Sequence, residues 1–167
     1  TAPQALSVSA ESNTSIIVQF NEPLSDSSID DPAGFSVNNG IGSATSASFV
    51  DGDLTKVQLG LTSPLINLTT YILRLNDIED LAGNVNPTQE LTFDFLLPEA
   101  PEVGDLIFTE IFPDPTPPVG LPDFEYIELL NTSNKVLQLG GLALSTGSTP
   151  QTIDPLVVLP GTYVIVC

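Results

Sequence analysis

What most limits the fold of this chain is how short its apolar stretches are. Between Asp105 and Ser133, two strongly apolar segments, Leu106–Phe112 and Phe124–Leu130, flank a proline-rich connection. Each is seven residues long and bounded by Pro or Asn. Runs of that length suit strands, because a helix needs ten or more residues to set out a buried face. The same punctuation fills the chain. Its 15 Pro and 12 Gly fall between short apolar runs, which predicts an all-β protein.

Seven such runs occupy the first half. Leu6, Val8 and Ala10 alternate with polar neighbours, and Ser15–Phe20 follows after Glu11-Ser12-Asn13. Asn21-Glu22-Pro23 ends that run, since Pro cannot donate to a central ladder. Phe35–Val37 comes after an Asp30-Asp31-Pro32 turn, and Ser43–Val50 reads as a weak edge strand rich in Ala and Ser. Val57, Leu59 and Leu61 alternate inward, then Tyr71, Leu73 and Leu75, and finally Leu91, Phe93 and Phe95. Short strands separated by turn signals predict a β-sandwich. At 167 residues the chain has room for two sandwiches of about eighty residues each. Two prolines in Leu97–Gly104 mark a short, semi-stiff linker. Beyond it five strands are legible: the two above, Val136–Leu139, Leu142–Ser145 and Tyr163–Val166.

In the first half, Phe20-Asn-Glu-Pro-Leu24, Val57-Gln-Leu59, Tyr71-Ile-Leu-Arg-Leu75 and Ile78-Glu-Asp80-Leu-Ala-Gly83-Asn84 follow in order. Over residues 5–96 this resembles a bacterial Ig-like domain of the surface-layer and adhesin kind. In the second half, Ile107-x-x-Glu110-Ile111-x-x-x-Pro115 precedes Phe124-Glu-Tyr-Ile-Glu-Leu-x-Asn131-Thr-Ser133. That pair resembles the opening of a lamin-tail domain, another Ig-like sandwich, and the likeness continues through Val136–Leu144 and Leu159–Val166. The expected architecture is therefore two Ig-like β-sandwiches in tandem: 1–96, a linker over 97–104, and a lamin-tail-like domain over 105–167. Such a fold needs about seven strands. Five predict that the second sandwich is incomplete at its C-terminal end, with further strands after Cys167. A start at Thr-Ala-Pro, with no initiator Met or signal peptide, predicts a piece of a larger protein.

Two tyrosines invite a structural reading. Tyr71 follows Leu68 by three residues, as in a tyrosine corner, where the ring caps the core and the hydroxyl bonds upstream backbone. Leu159-Pro-Gly-Thr-Tyr163 repeats the theme. Alternation places Leu106, Phe108, Glu110 and Phe112 on one face, and Phe124, Tyr126, Glu128 and Leu130 on another. Each row holds one carboxylate, which must be hydrogen-bonded, paired or protonated if buried. As an acid/base pair Glu110 and Glu128 would suit a glycosidase, but no His, Arg or cleft-forming loop accompanies them. The lamin-tail resemblance implies structural glutamates that accept backbone donors.

Calcium wants six to eight oxygens converging from a loop. Asp51 with Asp53, and Asp77 with Glu79 and Asp80, are weak candidates, because Asp51-Gly-Asp53 is too short for such a loop. Asp80 with Gly83 and Asn84 reads better as a turn cassette, with left-handed backbone at Gly83 and Asn84. No other cofactor is expected.

A formal charge of −18, three basic residues against 21 acidic, excludes nucleic acid, which is bound by Lys and Arg that displace counterions. It disfavours anionic membranes too. No apolar run approaches the roughly 20 residues of a membrane span, and the lone cysteine, Cys167, allows no internal disulfide. The chain holds no nucleophile–base set. The reading is a non-catalytic structural and adhesion module pair of a large secreted or surface-attached bacterial protein. It would act outside the cell as spacer and protein-interaction scaffold. Its partners would be neighbouring domains of that protein, surface or secretion-machinery proteins, or glycans. The alternative is a carbohydrate-binding accessory of an extracellular hydrolase, against which stands the absence of Trp.

Overall fold

The computed structural model describes residues 1–113, 125–145 and 149–167. Almost all of its regular structure is strand, in two compact units, Thr1–Leu96 and Leu97–Cys167. The Pro113–Pro118 connection beyond Pro113, and Phe124, lie outside the described residues.

The first unit has eight strands: β1 (Ala5–Ser12), β2 (Ser15–Phe20), β3 (Phe35–Val37), β4 (Gly42–Ser43), β5 (Ser46–Val50), β6 (Asp53–Gly60), β7 (Thr69–Glu79) and β8 (Val85–Phe95). They form two antiparallel sheets, ordered β1-β2-β6-β5 and β4-β3-β7-β8. Period-two alternation sends Ile16, Val18 and Phe20 inward from the first sheet, with Val57 and Leu59 beside them. Phe35, Tyr71, Leu73, Leu75, Phe93 and Phe95 line the second, and all belong to one core. Burying each such side chain contributes about 1.5–3 kcal/mol, which is what holds the sheets together.

Two details depart from the alternation. Leu6 points outward, 62% exposed, because a register shift between Ala5 and Ser7 makes it the extra residue against β2. Ser43–Val50 is two strands: the chain leaves β4 at one sheet's edge, buries Ala44, and re-enters as β5 at the edge of the other. The Asp30-Asp31-Pro32 turn is a short helix, Ser27–Asp30, followed by a 3-10 turn at Pro32–Gly34 in which Asp31 accepts the Ala33 N–H.

Side chains bind backbone where the strands run out. Ser28 Oγ donates to the Glu79 carbonyl (2.8 Å) and accepts its N–H (2.7 Å). Gln89 does the same for Ala5, accepting its N–H at 2.9 Å and donating to its carbonyl at 2.7 Å, while Asn86 Nδ2 donates to Pro3 O at 2.9 Å. Tyr71, 1% exposed, stacks on Phe93 with ring centroids 5.7 Å apart, and its hydroxyl accepts the Ile66 N–H at 2.8 Å.

The second unit contains, among the described residues, seven strands: β9 (Leu106–Phe112), β10 (Tyr126–Asn131), β11 (Leu137–Gln138), β12 (Ala143–Leu144), β13 (Gln151–Thr152), β14 (Val157–Val158) and β15 (Tyr163–Val166). The expected count of five is corrected, because β13 and β14 are two residues each, too short for any periodicity to reveal. Sheet order is β15-β10-β9, with β11 pairing β14 and β12 pairing β13. Leu129, Leu137, Leu139, Ile153 and Val158 form the core, with Ile127, Val164 and Val166 packed partly against it. Gly140 is required here: a Cβ would meet Pro155 Cα at 2.8 Å. Gln138 Oε1 fixes the same turn by accepting the Gly140 and Leu156 N–H groups.

Residues 97–104 belong to this unit. Glu99 pairs in parallel with Leu137, its N–H donating to Val136 O and its carbonyl accepting from Gln138 N. Those bonds satisfy backbone groups that a two-residue strand leaves bare.

Tyr71→Phe strips the Ile66 N–H of its acceptor and should cost roughly 1–3 kcal/mol, whereas Phe93→Ala should cost about 3–5 kcal/mol through the cavity it leaves. Urea unfolding followed by circular dichroism measures both. Equal, negligible losses would contradict the core position of the Tyr71–Phe93 stack.

Candidate functional site

The carboxylate pair on β9 and β10 is the first candidate. Glu110 lies directly opposite Glu128, but the register shifts one residue further along, at Glu128/Leu129. Thr109 is the extra residue of that bulge, and it breaks the expected row. Leu106 and Phe108 pair with Asn131 and Leu129 on the core side, while Glu110 and Phe112 pair with Glu128 and Tyr126 on the outer side. The glutamates accept hydroxyls, not the expected backbone donors. Tyr126 Oη donates to Glu110 Oε1 at 2.9 Å, and Thr109 Oγ1 to Glu128 Oε1 at 2.6 Å. The physical reason is that their side chains stand off an outer sheet face, whereas backbone donors lie in the plane of the ladder. Tyr126 also stacks on Phe112, 5.2 Å between centroids, and the neighbouring Glu110 carboxylate pushes its phenol pKa up.

The acidic turns are bound within themselves. Asp53 Oδ1 accepts the Thr55 N–H (3.0 Å) and hydroxyl (2.6 Å), and Oδ2 pairs with Lys56 at 3.3 Å. These partners, the Thr55 hydroxyl foremost, hold its pKa below the usual carboxylate value. Asp51 and Asp77 are exposed and carry left-handed backbone, φ 50° and 55°. Asp80 is buried and both its oxygens are taken: Oδ1 accepts from Ala82 N (2.8 Å) and Asn84 N (2.9 Å), Oδ2 from Asn84 Nδ2 (2.7 Å). Gly83, not Asn84, supplies the left-handed residue of that loop, at φ 82°. Among the described residues no three His, Cys, Asp or Glu converge on a metal position.

Tyr163 does not repeat the corner. It is 60% exposed, because it begins an edge strand and faces the outer side opposite Leu130. The residue that ties this region together is Asn131, 0% exposed. Its Nδ2 donates to Lys135 O (2.9 Å) and Val158 O (3.1 Å), and Oδ1 accepts the Ser133 N–H (3.0 Å) and hydroxyl (2.7 Å). Its backbone binds Gly161 and Thr162 in the turn before Tyr163. A polar residue closing a buried strand, followed by Thr-Ser, was the signal for it.

Lys135, half-buried, joins Glu102 at 2.7 Å and Asp105 at 3.3 Å. Asp105 also accepts the Glu102 N–H, and this bond, ahead of Lys135, holds its pKa low. Glu102, ahead of Asp105, raises that of Lys135. Lys56 and Arg74 are likewise paired, with Asp53 and Glu90. All three cations of the chain are therefore engaged away from Glu110 and Glu128.

A groove of about 740 Å³ lies beside β9, lined by Phe108, Ile111, Ile127, Leu144, Ile153 and Val166 among others. No described helix is long and apolar enough to cross a membrane.

Comparison with known proteins yields two kinds of likeness. The family described as bacterial Ig-like domain matches residues 1–95. The crystal structure of the S-layer protein rSbsC is similar over 99% of this chain and 32% of its own, at 16% identity and TM-score 0.52. The N-terminal part of the bacterial S-layer protein SbsC is 19% identical over 99% of this chain and 43% of its own, at TM-score 0.48. The chain thus spans about a third of the length of rSbsC, and at that identity the likeness is one of fold. No curated protein matches the sequence.

Asp53, Asp80 and Asp105 each have a folded pKa below the unfolded one. Their contribution to stability is full above the unfolded carboxylate pKa of about 3.9, and is lost as pH falls through the depressed folded values. Asp80→Asn should destabilise at pH 7, because it sets an amide NH₂ against that of Asn84. Urea midpoints from neutral to acid pH should show wild type and variant converging below about pH 4. A gap independent of pH would refute the assignment.

Proposed function

The chain belongs to the bacterial Ig-like domain family, and from that premise we propose that it is a non-catalytic structural and adhesion module pair of a larger secreted or cell-surface bacterial protein. Residues 1–96 form the Ig-like module, 97–104 its junction, and 105–167 a module of lamin-tail type. The observation that carries this reading is how the candidate polar groups are spent. Asp80, Asn131 and the Tyr71 hydroxyl bind backbone of their own unit. Glu110 and Glu128 stand on an outer sheet face with hydroxyl partners instead of converging in a cleft.

Mechanically, such a pair is a spacer whose sheets are braced by side chain–backbone bonds. Its interactions are interfacial, with neighbouring domains of the same protein and with surface or secretion-machinery proteins. The surface location is supported by the S-layer protein rSbsC, whose fold is similar, and by an acidic composition with one cysteine. One observation favours the carbohydrate-binding alternative: the exposed ring of Tyr163, an available stacking platform.

A glycan array, a reducing-sugar assay on polysaccharides, and melting curves with calcium or chelator test the proposal together. The expected results are no glycan retained, no sugar released and no shift in melting temperature. Glycan binding lost in Tyr163→Ala would favour the alternative. A calcium-dependent rise of many degrees would return Asp51, Asp53, Asp77 and Asp80 to consideration as ligands.

A further inference from the structure

β9 is the outer strand of its sheet, and among the described residues no strand pairs with its free edge. An open edge offers a row of unpaired backbone donors and acceptors to any extended chain. Proteins usually blunt such edges with Lys, Pro or very short strands. Leu106–Phe112 has seven residues and neither Lys nor Pro, and the bulge at Thr109 is the one such device within it. Ile107, Phe108 and Ile111 are instead 44%, 59% and 64% exposed. We infer that this edge accepts an extended segment of another protein, alternately aliphatic and basic, as a fourth strand.

The two faces beside β9 dictate that alternation. On the core side, Phe108 and Ile111 flank the groove whose floor includes Ile127 and Val166. Every second side chain of an added strand would enter it, exchanging water for apolar contact. On the outer side, Glu110 and Glu128 stand opposite one another. Like charges so placed repel, and the chain's three cations are all held by other carboxylates. Lys or Arg at the alternate positions of the incoming strand would supply the missing charge. A second copy of this chain does not fit: edge-to-edge pairing would bring two Glu110–Glu128 rows together on molecules of charge −18.

This inference rests on the scaffold reading and narrows it to one class of partner. The probes are capped, fluorescein-labelled peptides of about eight residues, a strand's length. One alternates lysine with valine, one alternates glutamate with valine, and one carries the first peptide's residues in two blocks. Anisotropy titrations with the whole 167-residue chain should show binding by the lysine–valine alternation alone. Ile111→Lys, at an exposed position, should weaken it about tenfold or more, and Glu110→Gln should weaken it and flatten its salt dependence. Melting curves verify that both variants fold. Equal binding of the block peptide, binding of the glutamate peptide, an unchanged affinity in Ile111→Lys, or no binding at all would each overturn the inference. Glycan binding or hydrolysis by the same chain would instead overturn the scaffold reading, while a chain inert to both and blind to the peptides overturns strand addition alone.

Discussion

Short strands leave backbone groups that no ladder reaches, and a buried N–H or C=O without a partner is costly. That constraint governs both units. Ser28 and Gln89 each hold the N–H and the carbonyl of a single residue, Glu79 and Ala5. Tyr71 and Asp80 close the turn before β7 and the loop after it. In the second unit, with four strands of two residues among those described, Asn131 and Gln138 take the same part. The polar side chains that look most like chemistry in the sequence are largely consumed by this need.

Periodicity made the central strands legible. Ile16, Val18 and Phe20, then Val57 and Leu59, then Tyr71, Leu73 and Leu75 alternate cleanly, and the structure buries them all. It failed where one inserted residue reverses a strand's faces. The shift at Ala5/Ser7 exposes Leu6, and the bulge at Thr109 separates Phe108 from Glu110. No local pattern announces such a step, because its cause lies in the partner strand. Nor can two-residue pairings such as Ala143 with Thr152 be seen in a sequence, since they exist only once distant turns are closed. Tyr163 shows the converse error. A motif borrowed from one strand environment lost its meaning at an edge.

Charge is distributed with the same asymmetry. Each of three cations anchors a turn or a strand pair, and none reaches Glu110 or Glu128, which take hydroxyls instead. Such a surface keeps the chain soluble through self-repulsion. It also makes cationic partners the ones that gain by approaching, and the outer face of β9 and β10 is where that gain adjoins apolar surface.

The Gln89 clasp has a mechanical side. Pro3 bonds to Asn86 and Ala5 to Gln89, so the first and last strands of the first unit run in the same direction where they touch. Tension drawn between the two ends of that unit would slide these strands past each other instead of peeling them apart. Every bond of the contact then bears load at once, and resistance to rupture is collective. An unzipping geometry, by contrast, breaks its bonds one at a time. In a spacer, this is the difference between a rod and a thread.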